Sequence, residues 1–323
     1  MTIWIIQRAA QAVLVAMAMA LILFLSLHFI GNPVETLLPA EATHEERLRL
    51  IADLGLDRPL YEQFVLFLRG LVQGNMGVSY VYKEPAVTLI LSRLPATLEL
   101  ALAAVLLSLV VGVPLGLIAG QKPESFLART IMTGSILGFS LPVFWIGILL
   151  IMTFSVYLGW LPSSGRGQTV EFLGIPWSFL TWDGLRHMIM PAVSLALFNI
   201  SMVARLTEAG VREAMTSDYV RFARAKGIKA RRILNVHVLK NVMIPVVTVV
   251  GLDIGQTIAF SVVTETIFAW PGLGKIIIDS IAALDRPVIV AYLMLVVVMF
   301  VLINLLVDIT YRLLDPRIRL QGE

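Results

Sequence analysis

Residues 100–120 read LALAAVLLSLVVGVPLGLIAG, a run without a single charged side chain. About 20 apolar residues in a helix cross a bilayer core of about 30 Å. In lipid the backbone N–H and C=O groups must pair within the segment, so such a run is helical. Five further apolar runs lie on either side of it. They cover residues 9–30, 131–158, 187–204, 241–263 and 287–307; the fourth span in chain order, 187–204, is short, and the fifth is interrupted by Asp253. The first follows Arg8 and contains Ala16-Met17-Ala18, which has the form of a signal cleavage site. A signal peptide has an apolar stretch of about 7–15 residues ending near such a site. Here the apolar run continues well beyond it, so an uncleaved span is expected. The predicted fold class is all-α: a polytopic membrane protein with about six transmembrane helices.

Composition supports this. Of the residues, 58% are hydrophobic and 15% charged, against about 45–50% and about 25% in soluble domains. Mean hydropathy is +0.86. A globular chain of this size would still need a polar exterior, whereas lipid accepts the excess. There is no cysteine, which removes disulfides and thiolate metal sites. The four histidines are scattered and no H-E-x-x-H occurs, so no metal site is expected. No phosphate-cradling G-x-x-x-x-G-K-[ST] loop is present; Gly274-Lys275 is followed by Ile276. Gly138-Phe139-Ser140 lacks a positioned histidine. The chain is therefore expected not to be an enzyme and to bind no cofactor of its own.

A net charge of +3 could suggest nucleic acid, but its distribution points elsewhere. Arg205, Arg212, Arg221, Arg224, Lys226, Lys229, Arg231, Arg232 and Lys240 fall between the fourth and fifth spans. Arg312, Arg317 and Arg319 follow the sixth, and Lys122 and Arg129 lie between the second and third. Lysine and arginine mark the cytoplasmic side. Both termini are thus expected in the cytoplasm, the bilayer is the chain's surrounding partner, and no nucleic acid is expected. The segment 31–93 lies outside and mixes both charge signs.

The loops carry their own signals. Thr43-His44-Glu45-Glu46 has the Thr-x-x-Glu form of a capping box. Gly55 is expected to end that helix, and Pro59 to begin another that ends near Gly74. This makes a two-helix cap, either lying alone on the surface or docking an extracytoplasmic partner. Trp177 and Trp182 between the third and fourth spans fit interfacial anchors. Ala269-Trp270-Pro271-Gly272-Leu273-Gly274 implies a tight turn. On the cytoplasmic side, residues 218–227 (DYVRFARAKG) predict a short amphipathic helix stopped by Gly227, in the left-handed position favoured after a helix. A second helix leads from Arg231 to Lys240. Such a protrusion is either a basic hairpin held on anionic lipid or a piece that fits a partner's groove.

DYVRFARAKG followed by ILNVHVLKN resembles the EAA loop of ABC importer permeases of the dipeptide/oligopeptide/nickel group. LGLDRPLYEQF, QGNMGVSY, LPATLELALA, FSLPVFWIGILL, ETIFAWPGLGK and NLLVDITYRLLDPRIR agree, in order, over nearly the whole chain. The resemblance implies a type I importer permease fold with three parts. Residues 1–95 would hold the first transmembrane helix and the extracytoplasmic cap, 96–315 a permease core of five helices with the coupling loop at about 205–240, and 316–323 a cytoplasmic tail. It implies a transmembrane permease subunit of an ATP-binding-cassette importer in the bacterial inner membrane. Such a subunit forms half of the pathway for di- or oligopeptides, or similar small solutes. The implied partners are a second homologous permease, two cytoplasmic ATPase subunits that carry the ATP and Mg, and an extracytoplasmic solute-binding protein. The coupling residues implied are Asp218, Tyr219, Arg221, Ala223, Arg224, Lys226, Gly227, His237 and Asn241. Ala223 falls on the second alanine of the EAA triplet and Gly227 on its glycine, while Arg221 and Phe222 replace the usual Glu-Ala.

Asp253, Gln256, Thr257, Ser261 and Thr264 recur at steps of three and four, near one face of the fifth span. A polar stripe in a membrane helix faces the bundle interior or a water-filled route, so these are candidates for the translocation path. A mid-span acid costs roughly 2.5–3.5 kcal/mol unless paired or hydrated. Asp253 either faces the path and favours positively charged solutes, pairs with the partner permease, or is protonated. Glu265, Trp270, Pro271, Gly272 and Gly274 are candidates for an outer gate or turn. Asn304 and Asp308 are one turn apart in the sixth span and fit structural hydrogen bonding. Gly112, Pro114, Gly116, Pro142 and Gly147 invite kinks or close helix contact. The alternative function is an ion-coupled secondary transporter, a class that often shows inverted repeats; no convincing repeat is visible. An intramembrane enzyme is the third possibility, disfavoured by the missing catalytic set.

Overall fold

The computed structural model describes residues 2–29, 43–53 and 55–314. Helix α1 is Thr2–Phe29, α2 His44–Asp53 and α3 Leu60–Val72. The capping box forms: Glu46 accepts the Thr43 N–H at 2.9 Å and its own N–H donates to the Thr43 hydroxyl at 3.3 Å. Helix α4 (Ala86–Gln121) spans 36 residues, with Pro95 and Pro114 inside it. Helix α5 (Phe126–Ser140) starts on Ser125, whose hydroxyl accepts the Ala128 N–H. It is followed by α6, Val143–Leu150, which widens into a π-helical segment at Ile151–Tyr157. A short antiparallel hairpin, β1 (Val170–Phe172) with β2 (Ile175–Trp177), precedes α7 (Trp182–Thr216). Helix α8 is Asp218–Ala225. Helix α9 runs Ala230–Ile267 and contains a π-helical segment at Ile233–Val238. Helices α10 (Leu273–Ala282) and α11 (Arg286–Leu314) complete the described chain.

Helices α4, α7, α9 and the Arg286–Ile303 part of α11 are long and apolar enough to cross a membrane. The bent pair α5–α6 makes up to a fifth such span, and Val13–Ser26 within α1 is a shorter apolar stretch. Three expectations change. The third span is broken, with α5 and α6 meeting at 105°. Its cause is Leu141-Pro142, both in extended backbone, because a residue before proline is driven out of the helical region. The fourth span is not short: α7 is 35 residues and extends to Thr216, taking the first part of the 205–240 segment into a continuous helix. Its proline, Pro191, does not end it; membrane helices tolerate proline where neighbours re-satisfy the freed carbonyl. The second helix begins at Ala86, well before the apolar run. The side chains of Asn304 and Asp308 lie outside the described ones.

The described residues fall into two compact units, one within Met1–Leu94 and Ile276–Leu302 and the other within Pro95–Lys275 and Ile303–Glu323. In the first, Phe24 of α1 packs on Phe64 and Phe67 of α3, with ring centroids at 5.2 and 5.8 Å. Ala20 and Leu23 join Val290 and Met294 of α11 in one buried cluster. Asp285 is fully buried and accepts the Tyr80 N–H at 3.1 Å and the Ser79 hydroxyl.

In the second unit α7 is central, packed against α5, α6 and α9. Gly112, Gly116 and Gly120 put one bare face of α4 on α7. A methyl group at Gly116 would lie 2.5 Å from the Ala204 carbonyl, and one at Gly120 would lie 2.7 Å from Val211. Without a hydrophobic drive in lipid, close backbone approach at small residues is what holds helices together.

Candidate functional site

Helix α8 is built as a ledge. Val220 and Ala223 are buried and join Val211 of α7 and Ile233, Leu234, Val238 and Val242 of α9 in one cluster. The opposite face carries Asp218, Tyr219, Arg221, Phe222, Arg224 and Lys226, all exposed, with Phe222 at 62%. Phe222 therefore lies outside the core of this unit. Lys226 Nζ sits 4.5 Å from the centroid of the Phe222 ring. The end of the helix is a double hydrogen-bonded cap. Gly227 N–H donates to Arg224 C=O at 2.9 Å and Ile228 N–H to Ala223 C=O at 3.2 Å. This arrangement needs a left-handed residue after the helix. Gly227 has φ +74, and a methyl group placed on it would meet nothing within 4 Å. Backbone conformation, not space, demands glycine there. His237 is half-buried and Asn241 exposed.

The polar stripe of α9 divides. Asp253, Gln256 and Thr257 line a cavity of about 370 Å³, with Leu195, Phe198 and Asn199 of α7 and the Leu141–Phe144 bend opposite. Asn199 donates to the Thr257 hydroxyl at 2.8 Å, and Thr257 donates to Asp253 at 3.1 Å. Ser261 and Thr264 are fully buried and line no part of that cavity. The Ser261 hydroxyl lies against the Ile258 carbonyl and the Glu265 carboxylate.

Glu265 is the centre of a buried knot. It is 0% exposed. One carboxylate oxygen accepts the hydroxyls of Thr97 (2.7 Å) and Ser261 (3.1 Å), and the other accepts the N–H groups of Gly274 (2.6 Å) and Lys275 (3.1 Å). Thr97 also accepts the Leu273 N–H at 2.7 Å. The first turn of α10, whose N–H groups have no partners within the helix, is thus capped by side chains of α4 and α9. Trp270, also fully buried, donates its indole N–H to the Ala96 carbonyl at 2.9 Å. A methyl group at Gly272 would overlap the Glu265 carboxyl, so this turn is packed directly on the acid.

A second buried acid supports the hairpin. Glu99 accepts two bonds from Arg166, at 2.6 and 3.0 Å, and the N–H groups of Ser178 and Phe179 at 2.7 and 2.9 Å. Thr97, Glu99, Arg166 and Asn199 were not singled out from the sequence. The visible signal for the first two is a polar pair at the mouth of an apolar run; Arg166 and Asn199 give none.

Against this geometry the family comparison is direct. A profile described as "Binding-protein-dependent transport system inner membrane component" matches residues 112–320, and its N-terminal counterpart matches residues 1–101. The chain belongs to the binding-protein-dependent transport system inner membrane component family. Relatives within this permease family include the di/tripeptide transport system permease protein DppB of Pseudomonas aeruginosa, 42% identical over 90% of each chain. The dipeptide transport system permease protein DppB of Escherichia coli K12 is 36% identical over 98% of each. The oligopeptide transport system permease protein AppB of Bacillus subtilis is 37% identical over 98% of this chain and 99% of its own. The fold is that of a chain in an inward-facing MetNI methionine ABC transporter structure, with a TM-score of 0.55 at 19% identity, covering 70% of this permease and 96% of that chain. The all-α, multi-pass permease expected from the sequence is therefore what this chain is, and nothing among these relatives supports an ion-coupled secondary transporter.

Proposed function

We propose that this permease forms half of the translocation pathway of an ATP-driven importer for di- or oligopeptides. It pairs with a second, homologous permease and takes its solute from an extracytoplasmic binding protein. Two cytoplasmic ATPase subunits, which hold the ATP and Mg, supply the energy; the chain itself catalyses nothing and binds no cofactor. It sits in the bacterial inner membrane with both termini in the cytoplasm. The names of the relatives support the peptide class, and the clustering of lysine and arginine supports the orientation.

The observation that carries the coupling role is the ledge at α8. Its buried face is clamped to α7 and α9, so a force on its exposed face is delivered to two membrane helices. Asp218, Tyr219, Arg221, Arg224, Lys226 and Gly227 present that face, Ala223 anchors it, and His237 and Asn241 lie on the helix it drives. When ATP closes the ATPases, the ledge moves and the bundle opens outward; hydrolysis resets it. Asp253, Gln256 and Thr257 line the route, and the knot at Glu265, Trp270, Pro271, Gly272 and Gly274 holds the turn that follows α9.

Two experiments test this. Purification of the tagged chain in gentle detergent, with mass spectrometry of what is retained, is expected to recover a second permease and one or two Walker-type ATPases. In the same complex Gly227→Trp is expected to keep the subunits together while separating ATP hydrolysis from uptake. Normal uptake in that variant removes the coupling role from α8.

A further inference from the structure

The cavity between the Leu141–Phe144 bend, α7 and α9 is apolar except along one wall. Phe144, Phe198 and Phe260 contribute aromatic rings to it, and the polar groups are Asn199, Asp253, Gln256 and Thr257. No lysine, arginine or histidine lines it among the described residues. Among those residues no cation pairs with Asp253. The hydrogen bonds run one way. The Asn199 amide donates to the Thr257 oxygen, so the Thr257 proton is directed at Asp253. Thr257 and Asn199 both bear on the carboxylate, which holds it in one orientation and leaves part of its roughly four acceptor positions open. A carboxylate with spare acceptors, aromatic faces that attract cations and no counter-charge make a site for an ammonium group. The volume, about 370 Å³, lies at the lower end of ligand pockets, about 300–1,000 Å³.

We propose that the Asp253–Thr257–Asn199 wall of this cavity binds the ammonium group of the solute as it crosses the membrane. This rests on the permease function proposed above and deepens it: Asp253 is a selectivity element within the membrane, separate from the choice made by the binding protein. Asp253→Asn is the informative variant, because asparagine keeps an acceptor for Thr257 while removing the charge.

The test uses the complete complex in vesicles with saturating binding protein and ATP on the ATPase side. The probes are trialanine and N-acetyl-trialanine, with the binding protein's affinity for each measured separately and divided out. The wild type is expected to favour the free amine. Asp253→Asn is expected to lower the ratio of the two rates about tenfold, or about 1.4 kcal/mol, and Asp253→Glu to restore most of it. An unchanged ratio overturns the proposal. So does equal slowing of both peptides, or loss of the second permease from the complex, since either assigns Asp253 to an ion pair with that partner. Wild-type vesicles with no ATP-dependent uptake of either probe would instead bring down the permease function, and this site with it.

Discussion

Removing the Glu265 side chain should loosen the turn between α9 and α10 by an amount the hydrogen bonds allow us to bound. In Glu265→Ala the N–H groups of Gly274 and Lys275 lose their acceptor inside a buried turn. Each buried donor left without a partner costs about 1–3 kcal/mol, so the pair costs about 2–6 kcal/mol. The hydroxyls of Thr97 and Ser261 add little, because a hydroxyl turns to another acceptor; Ser261 already lies 2.7 Å from the Ile258 carbonyl. Glu265→Gln separates these contributions. Its oxygen can face the two backbone N–H groups, which cannot reverse, and its NH2 can face the two hydroxyls, which can. Glutamine should therefore cost about 1 kcal/mol, the difference between charge-assisted and neutral bonds. Thr97→Val leaves the Leu273 N–H without its acceptor, and combined with Glu265→Ala it should cost less than the sum of the two, because neighbours in one network are not additive. Reversible unfolding in mixed micelles, followed by tryptophan fluorescence, measures each value. If alanine and glutamine at 265 cost the same, within about 0.5 kcal/mol, the capping role of the carboxylate is refuted.

Three further outcomes are expected. Gly116→Leu should prevent α4 from seating on α7, since even a methyl group there would lie 2.5 Å from the Ala204 carbonyl; overpacking costs typically about 1–3 kcal/mol or more. Gly134→Ala, where nothing lies within 4 Å, should instead stabilise by roughly 0.5–1 kcal/mol, and thermal melting of the two detergent-purified variants distinguishes them. Arg166→Met should destabilise by about 3–5 kcal/mol, because it leaves the Glu99 charge buried without its cation, and adding Glu99→Gln should recover part of that on the same assay. Thr43 holds the exposed Glu46 carboxyl below its ordinary range by donating its N–H and hydroxyl. The cap is then fully present above the ordinary glutamate pKa and is lost as pH falls through the lowered folded value. Amide protection in the first turn of α2 should drop across that window, and the drop should flatten in Thr43→Val.

Much of the fold was legible because lipid imposes a simple rule on apolar length. Residues 100–120 and 287–307 announce helices by hydropathy alone, and both are helical. The capping box at Thr43 and the stop at Gly227 are local signals, and both form as read. What the sequence hid depends on tertiary partners. Residues 131–158 read as one span because apolar composition carries through Leu141-Pro142, although the extended backbone there turns the chain by 105°. The 187–204 run read as short because the helix continues through polar residues to Thr216, where the α8 cluster supports it. The stripe on α9 was read as one face from its spacing. Only the tertiary packing separates Asp253, Gln256 and Thr257, which line a cavity, from Ser261 and Thr264, which do not. The two buried acids, Glu99 and Glu265, draw their partners from distant residues, and no local pattern reports such pairings.

The most direct test of the central claim is uptake of a radiolabelled dipeptide by vesicles containing the co-purified complex and its binding protein, with and without ATP. Accumulation that requires both ATP and the binding protein, and that persists when ion gradients are collapsed, is the predicted result. Accumulation by this chain alone without ATP, driven by an ion gradient, would contradict it.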